Sequence, residues 1–286
     1  MISLIVRVTD QSDHPSAHLI APIGLATPQS APTAVIVQGA DMQLIADPTA
    51  AQHAMRLTPT GGPITLTWRF ARPGAPYPQA LFTPRDSRFT RAAPSLAEEA
   101  KAIATAAGGG ADGIAALAAH AAGLFDYGHP EQKFYDGHDE IPQLCDIATG
   151  SCVDINAYFI ALCRSAGYQA GYVTGYFIPV EKRSQCDDMH CWVVTRCDDV
   201  VQEWDIAHHL KIGRRNIAPG LNPKPGVRLA MAHSMGLNFP AEALHDLKLI
   251  SEPMWLDAAG QWARANLTIN LTGYDLLDRP DPPVQP

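Results

Sequence analysis

Residues 149–176, TGSCVDINAYFIALCRSAGYQAGYVTGY, decide how the rest of the chain is read. Ser151 followed three positions on by Asp154 is a capping box, in which each side chain satisfies a backbone N–H left open at a helix start. Cys152 then falls at the first helical position. Ile155, Phe159, Leu162 and Ala166 recur at helical spacing and define a buried stripe, and Gly167 supplies the stop. A cysteine in this place either packs as a small hydrophobe or reacts, because open N–H groups and the helix dipole favour an anion and ease thiolate formation.

Beyond Gly167, AGYVTGYFIPV (170–180), MHCWVVTRC (189–197) and VVQEWDIA (200–207) read as strands, with Asp198-Asp199 as the turn between the last two. A helix followed by antiparallel strands is an α+β order. Upstream, SLAEEAKAIATAA reads as a helix with Ser95 as N-cap and Glu98 completing a second capping box, ended by Gly108-Gly109-Gly110. A second alanine-rich helix covers about 112–125, and residues 128–149 form a polar loop. Residues 1–92 alternate short β-type runs (SLIVRV, TAVIVQ, MQLIAD, ITLTWRF) with Pro and Gly, an all-β segment. Pro73, Pro76, Pro78 and Pro84 join it to the first of the helices. The expected division is an N-terminal β domain at 1–92, a second domain at 93–278 and a disordered tail at 279–286, DRPDPPVQP supplying its composition. After residue 208 come a basic, turn-rich stretch from Lys211 to Arg228, a short helix at 240–247 and a last strand near ANLTINL.

A nucleophilic cysteine needs a base, and the base needs an orienting group. His190 and Asp205 can be tested by register alone. A two-residue turn at 198 and 199 pairs positions that sum to 397, which sets Asp205 opposite Trp192 and diagonal to His190, at about 7–8 Å between backbones. The two side chains then share a face, so the arithmetic permits a Cys-His-Asp triad.

Together these residues resemble the transglutaminase-like superfamily of papain-like folds. Its first motif is met by Gly150, Cys152, Ala161-Leu162, Arg164, Gly167, Val173 and Gly175-Tyr176, and its second by His190-Cys191-Trp192-Val193. Trp204-Asp205 meets the third, although the usual Asp-Pro-Thr here reads Asp-Ile-Ala. The resemblance covers about 95–210 and implies an α+β fold in which the cysteine helix packs on an antiparallel sheet, preceded by an all-β domain similar to that of bacterial members. It also implies that Cys152 attacks an amide or ester carbonyl, that His190 serves as base and then as acid, and that Asp205 orients the imidazole. The implied enzyme is a peptidase or amidase working through a thioester on a peptide or protein amide; the alternatives are a cross-linking transglutaminase and a non-catalytic scaffold that keeps the fold. Gln143 is a candidate oxyanion donor beside the Cys152 N–H, and Trp192, Trp204 and Tyr176 are candidates to line the acyl site.

The formal charge of −8 argues against nucleic acid or an anionic membrane as partner. No apolar run approaches the roughly 18 residues of a span, and MISLIVRVTD reads as a strand rather than a signal peptide. A cytoplasmic, reducing setting is therefore expected, with the six cysteines as thiols and no cofactor. A zinc site built from Cys186, His190, Cys191 and His208-His209 is disfavoured, since adjacent strand residues point to opposite faces. His208-His209 with Lys211, Arg214 and Arg215 reads as a solvated loop. A tyrosine-phosphatase reading of HCWVVTR fails for want of a glycine-rich anion cradle.

Overall fold

The computed structural model describes residues 1–14, 17–83, 86–187 and 189–278. Its first layers follow from alternation. In Ile2–Val8 the even-numbered residues are buried and Arg7 faces water, the period of a half-buried strand. This strand is central in a five-stranded sheet ordered Gln185–Cys186, Leu267–Thr272, Ile2–Val8, Thr65–Ala71, Ala31–Gln38. A second runs Trp262–Arg264, Met254–Leu256, His18–Pro22, Gln52–Pro59, Ala40–Asp47. Leu4, Leu66 and Trp68 of the first meet Leu19, Leu57 and Trp255 of the second in one core, so the sheets pack face to face.

The sandwich is not built from residues 1–92 alone. Leu267–Thr272, the strand expected near ANLTINL, pairs antiparallel with Ile2–Val8, with Leu4 opposite Leu271. A cut at residue 92 divides the chain but not the sheets. Of the proline-rich connection, Pro84 lies outside the described residues; the part before it leads into a short helix, Gln79–Phe82, whose Leu81 and Phe82 are buried against Val173 and Trp192. Residues 279–286, expected as a disordered tail, also lie outside the described residues.

Three helices form a second layer. Pro94–Ala106 is capped by Ala93 and has Pro94 in its first turn, so Ser95 lies inside the helix and is not its cap. Proline has no N–H to leave open and its fixed φ suits a helix start, which outcompetes the serine one position on. The second helix is Gly110–Gly123, two residues earlier than its periodicity suggested. The third is Cys152–Ser165, with Ser151 as N-cap and Gly167 at φ 91°. The Tyr168 N–H reaches the Cys163 carbonyl (2.9 Å) and the Gly167 N–H that of Arg164 (3.1 Å), the double closure of a Schellman stop. Burial extends beyond the expected stripe: from Cys152 to Cys163 every residue except Val153 is buried, while Ala166 is only half-buried.

This cysteine helix packs on an antiparallel sheet ordered Val200–Trp204, Met189–Cys197, Gln169–Pro179, Gly226–His233. Val193 pairs with Trp204, the expected register, and both turn residues have positive φ (Asp198 48°, Asp199 65°), as a tight hairpin requires. Gly175 pairs with His190 on one side and Ala230 on the other; a Cβ there would lie 2.0 Å from the Leu229 carbonyl oxygen. The helix expected at 240–247 is instead a single turn, Pro240–Glu242, and a strand, Leu244–Leu247, paired with Leu237–Phe239. Ala243 and Asp246 both sit at φ 53°, which no right-handed helix accommodates. No described helix is long and apolar enough to cross a membrane.

Candidate active site

Local capping places the nucleophile candidate. Asp154 accepts the Ser151 backbone N–H (2.8 Å) and the Ser151 hydroxyl (2.7 Å) on Oδ2, and the Tyr135 hydroxyl (2.6 Å) on Oδ1. Cys152 is thereby held as the first residue of its helix, where its own N–H has no carbonyl behind it. None of the six cysteines is in a disulfide.

His190 lies at the start of Met189–Cys197, and its Nε2–H donates to Asp205 Oδ2 (2.7 Å). Nδ1 is left for Cys152, with which the imidazole forms a hydrogen bond. Asp205 is not a strand residue as expected. The strand ends at Trp204, and Asp205 caps a short helix, Ile206–Lys211, by accepting the His208 N–H on Oδ1 (2.9 Å). Its carboxylate is fully buried, whereas the His190 ring keeps 14% of its surface open. A dry orienting anion and a base within reach of substrate are the arrangement nucleophilic catalysis needs.

The electrostatics agree with a thiolate beside an imidazolium. The largest influence on Cys152 is a hydrogen bond from the Cys191 thiol; burial opposes it, and the hydrogen bond and charge of His190 then bring the thiol down to about 5. Burial alone would lower His190, but the charge and hydrogen bond of Asp205, with Cys152 added, lift it to about 9. Burial also works against the Asp205 anion, and the charges of His190 and Arg228 hold it well below the usual carboxylate range nonetheless. Burial keeps His208 below its ordinary value.

Cys152 and His190 open onto a cleft of about 680 Å³ whose walls include Tyr127, Phe177, His208 and Met254. The expected lining residues are elsewhere. Trp192 and Trp204 are 1% exposed and Tyr176 is fully buried. Trp192 packs on the sheet face that carries Leu81, Trp204 donates its Nε1–H to Thr195 (2.8 Å), and Tyr176 enters the sandwich core. Aromatic residues on central strands are drawn into core packing rather than the cleft. Gln143 is half-buried and is not among the cleft's lining residues. His208 and His209 are buried on the helix below Asp205 rather than in a solvated loop, while Arg214 and Arg215 are exposed as expected.

Three groups escape the sequence reading. Cys191 enters it only within a motif and a disfavoured zinc set, yet its sulfur accepts Asn156 Nδ2–H (3.3 Å) and its thiol faces Cys152. Asn156, wholly buried in the cysteine helix, is an available signal, since a polar side chain amid an apolar stripe needs a partner. Arg228, expected at the end of a basic, turn-rich stretch, lies on a strand and reaches Asp205. His190, Asp205 and His208 bring ligand-type atoms within 4.8 Å of one another, but the guanidinium on the same carboxylate already supplies the cation.

Residues 94–202 match the family model of the transglutaminase-like superfamily, a span that contains Cys152 and His190 and stops short of Asp205. No curated protein matches the sequence. Among solved structures, a "putative cysteine protease" from Cytophaga hutchinsonii is 11% identical with a TM-score of 0.55, over 95% of this chain and 88% of that one. The periplasmic domain of TgpA from Pseudomonas aeruginosa, bound to ethylmercury, is 15% identical with a TM-score of 0.41, over 76% of this chain and 93% of that one.

Proposed function

Starting from a chain whose residues 94–202 belong to the transglutaminase-like superfamily, we propose that it is a cysteine-dependent amide hydrolase of the peptidase or amidase type. The observation that carries the reading is the line from Asp205 through His190 to a helix-terminal Cys152 at the wall of a cleft. Cys152 thiolate attacks the amide carbonyl carbon, and the oxyanion formed meets the Cys152 backbone N–H. His190 gives its Nδ1 proton to the leaving nitrogen as the C–N bond breaks, which leaves a thioester on Cys152. Neutral His190 then takes a proton from water as the hydroxide adds to the thioester, and breaking the C–S bond releases the carboxylic acid and restores the Cys152 thiolate beside the His190 imidazolium. Asp205 stays ionised throughout and holds the imidazole plane.

The test pairs reactivity with turnover. Cys152 should alkylate with iodoacetamide near pH 6 far faster than the exposed Cys145, and lose that advantage in His190→Ala. On an unfolded protein mixture read by mass spectrometry, new chain termini should appear, and Cys152→Ser should lower their rate by on the order of 10³-fold or more. With a primary amine added, amine-capped termini or side chains in place of free carboxylates would show acyl transfer to the amine instead of water. A Cys152 that alkylates like an ordinary buried thiol would leave a scaffold with no enzyme.

A further inference from the structure

Arg228 lies on Gly226–His233, the edge strand furthest in the sheet from the Val200–Trp204 strand that delivers Asp205. Its guanidinium nevertheless hydrogen-bonds to Asp205 Oδ2 and to the Leu221 carbonyl, and Nε–H donates to Asn222 Oδ1 (2.8 Å). The side chain spans the two central strands over Phe177 and Trp192, whose ring centres lie 5.2 Å and 5.0 Å from its central carbon. It is 3% exposed, and Asp205 is fully buried. Nη1 has no hydrogen-bond partner among the described residues.

A buried ion pair with an unmatched N–H is a poor stabiliser, since the cost of removing two charges from water rivals their attraction, and apolar residues of the same shape often do as well. What it supplies is a fixed anion. Asp205 accepts the His208 backbone N–H on Oδ1, and His190 Nε2 and Arg228 on Oδ2, with His208 Nδ1 3.5 Å from the same oxygen. The two on Oδ2 lock the carboxylate in the rotamer that faces the imidazole. Resting on the hydrolase reading above, we propose that Arg228 is a positioning residue that clamps the Asp205 carboxylate across the sheet in the one rotamer that faces His190. Arginine suits this because its planar fork fixes direction, which a lysine ammonium does not.

One consequence sets Arg228 apart from mere packing. The charged or titratable groups around His190 are Cys152, Asp205, His208 and Arg228, with Glu181, Asp187 and Glu252 facing Lys182, Lys211, Lys224 and Arg264, and with His129, on the cleft walls. Of the inner set only Arg228 is a permanent cation, and it partly offsets the pull of Asp205 on the His190 proton. Removing it should let the imidazolium persist to higher pH.

Iodoacetate reads this directly, because the anionic reagent is drawn to Cys152 while His190 is charged and loses that attraction when it is not. Its rate with Cys152, followed by mass spectrometry across pH, should show a falling alkaline limb in the wild-type protein. In Arg228→Met the limb should move up by about one pH unit. In Arg228→Lys it should stay within a few tenths of wild type, while the plateau rate falls by at least about threefold as the fork is lost. Thermal melts of each variant report folding separately. An alkaline limb that stays or moves down in Arg228→Met overturns the proposal, whatever the melting temperature. If that variant does not fold, a wild-type plateau in Arg228→Lys overturns it. A wild-type Cys152 no faster than Cys145 near pH 6 is a different result and removes the hydrolase reading first.

Discussion

At the scale of single residues, the proposed hydrolysis depends on one proton shared between Cys152 and His190. Between about 5 and about 9 the favoured state is thiolate with imidazolium. Below the lower limit Cys152 is protonated and cannot attack; above the upper one His190 has no proton for the leaving nitrogen. kcat/KM should therefore rise and then fall across this window, with limbs that belong to the coupled pair rather than to either residue. A pH profile on any substrate found by the turnover screen checks it. Cys191 should matter to the acid limb, since its thiol is the strongest influence holding Cys152 ionised while burial and the Cys152 charge push its own value well above normal. Cys191→Ala should move the acid limb of iodoacetamide alkylation up by about one pH unit, making Cys152 about twofold slower at pH 6 and on the order of tenfold slower at pH 4. Cys191→Ser, which keeps a donor, should restore most of the loss; equal rates in all three proteins would assign Cys191 to packing.

At the scale of elements, two local devices hold the site. Asp154 ties the start of the cysteine helix to Ser151 and to the Tyr135 hydroxyl on the preceding loop. Asp154→Ala removes the cap and strands a buried hydroxyl, so a loss of about 2–3 kcal/mol is expected in denaturant titration, with slower Cys152 alkylation as the first turn frays. Gly175 lets Gly226–His233 close on its neighbour beside His190. Gly175→Ala would press a methyl group onto backbone that cannot rotate away, so it should cost about 1–3 kcal/mol and weaken the Arg228 clamp as that strand shifts. A melting temperature equal to wild type would show that the strand yields without penalty.

At the scale of the whole molecule, the sandwich and the cysteine-bearing layer share packing. Tyr176 and Ile178 of the sheet that carries His190, with Val227, Leu229 and Met231 of its edge strand, enter the same core as Leu4 and Trp68. The strand Leu267–Thr272 closes the first sheet against Ile2–Val8. A fragment of residues 1–92 therefore lacks both a strand neighbour and part of its core. Expressed alone it should show no cooperative unfolding transition by circular dichroism, and removing residues 265–286 should destabilise the remaining protein or drive it to aggregate. A cooperative transition in the isolated fragment would restore a self-sufficient N-terminal domain.

What the sequence determined by itself is what short-range interactions decide. The capping box and Schellman stop of Cys152–Ser165 involve partners within five residues, and the Asp198-Asp199 turn fixes the register that brings Asp205 toward His190. Motif spacing added His190 and Asp205 to Cys152, and the family resemblance it carried agrees with the model matched by residues 94–202. The tertiary structure alone decided the rest. Which face of a strand becomes cleft and which becomes core depends on what packs there, so Trp192, Trp204 and Tyr176 read as lining and proved to be core. Arg228 and Asp205 meet across the two central strands of their sheet, and Leu267–Thr272 finds Ile2–Val8 across most of the chain. No local pattern encodes such pairings, because the free energy that selects them is gained only when distant segments bury surface and charge together.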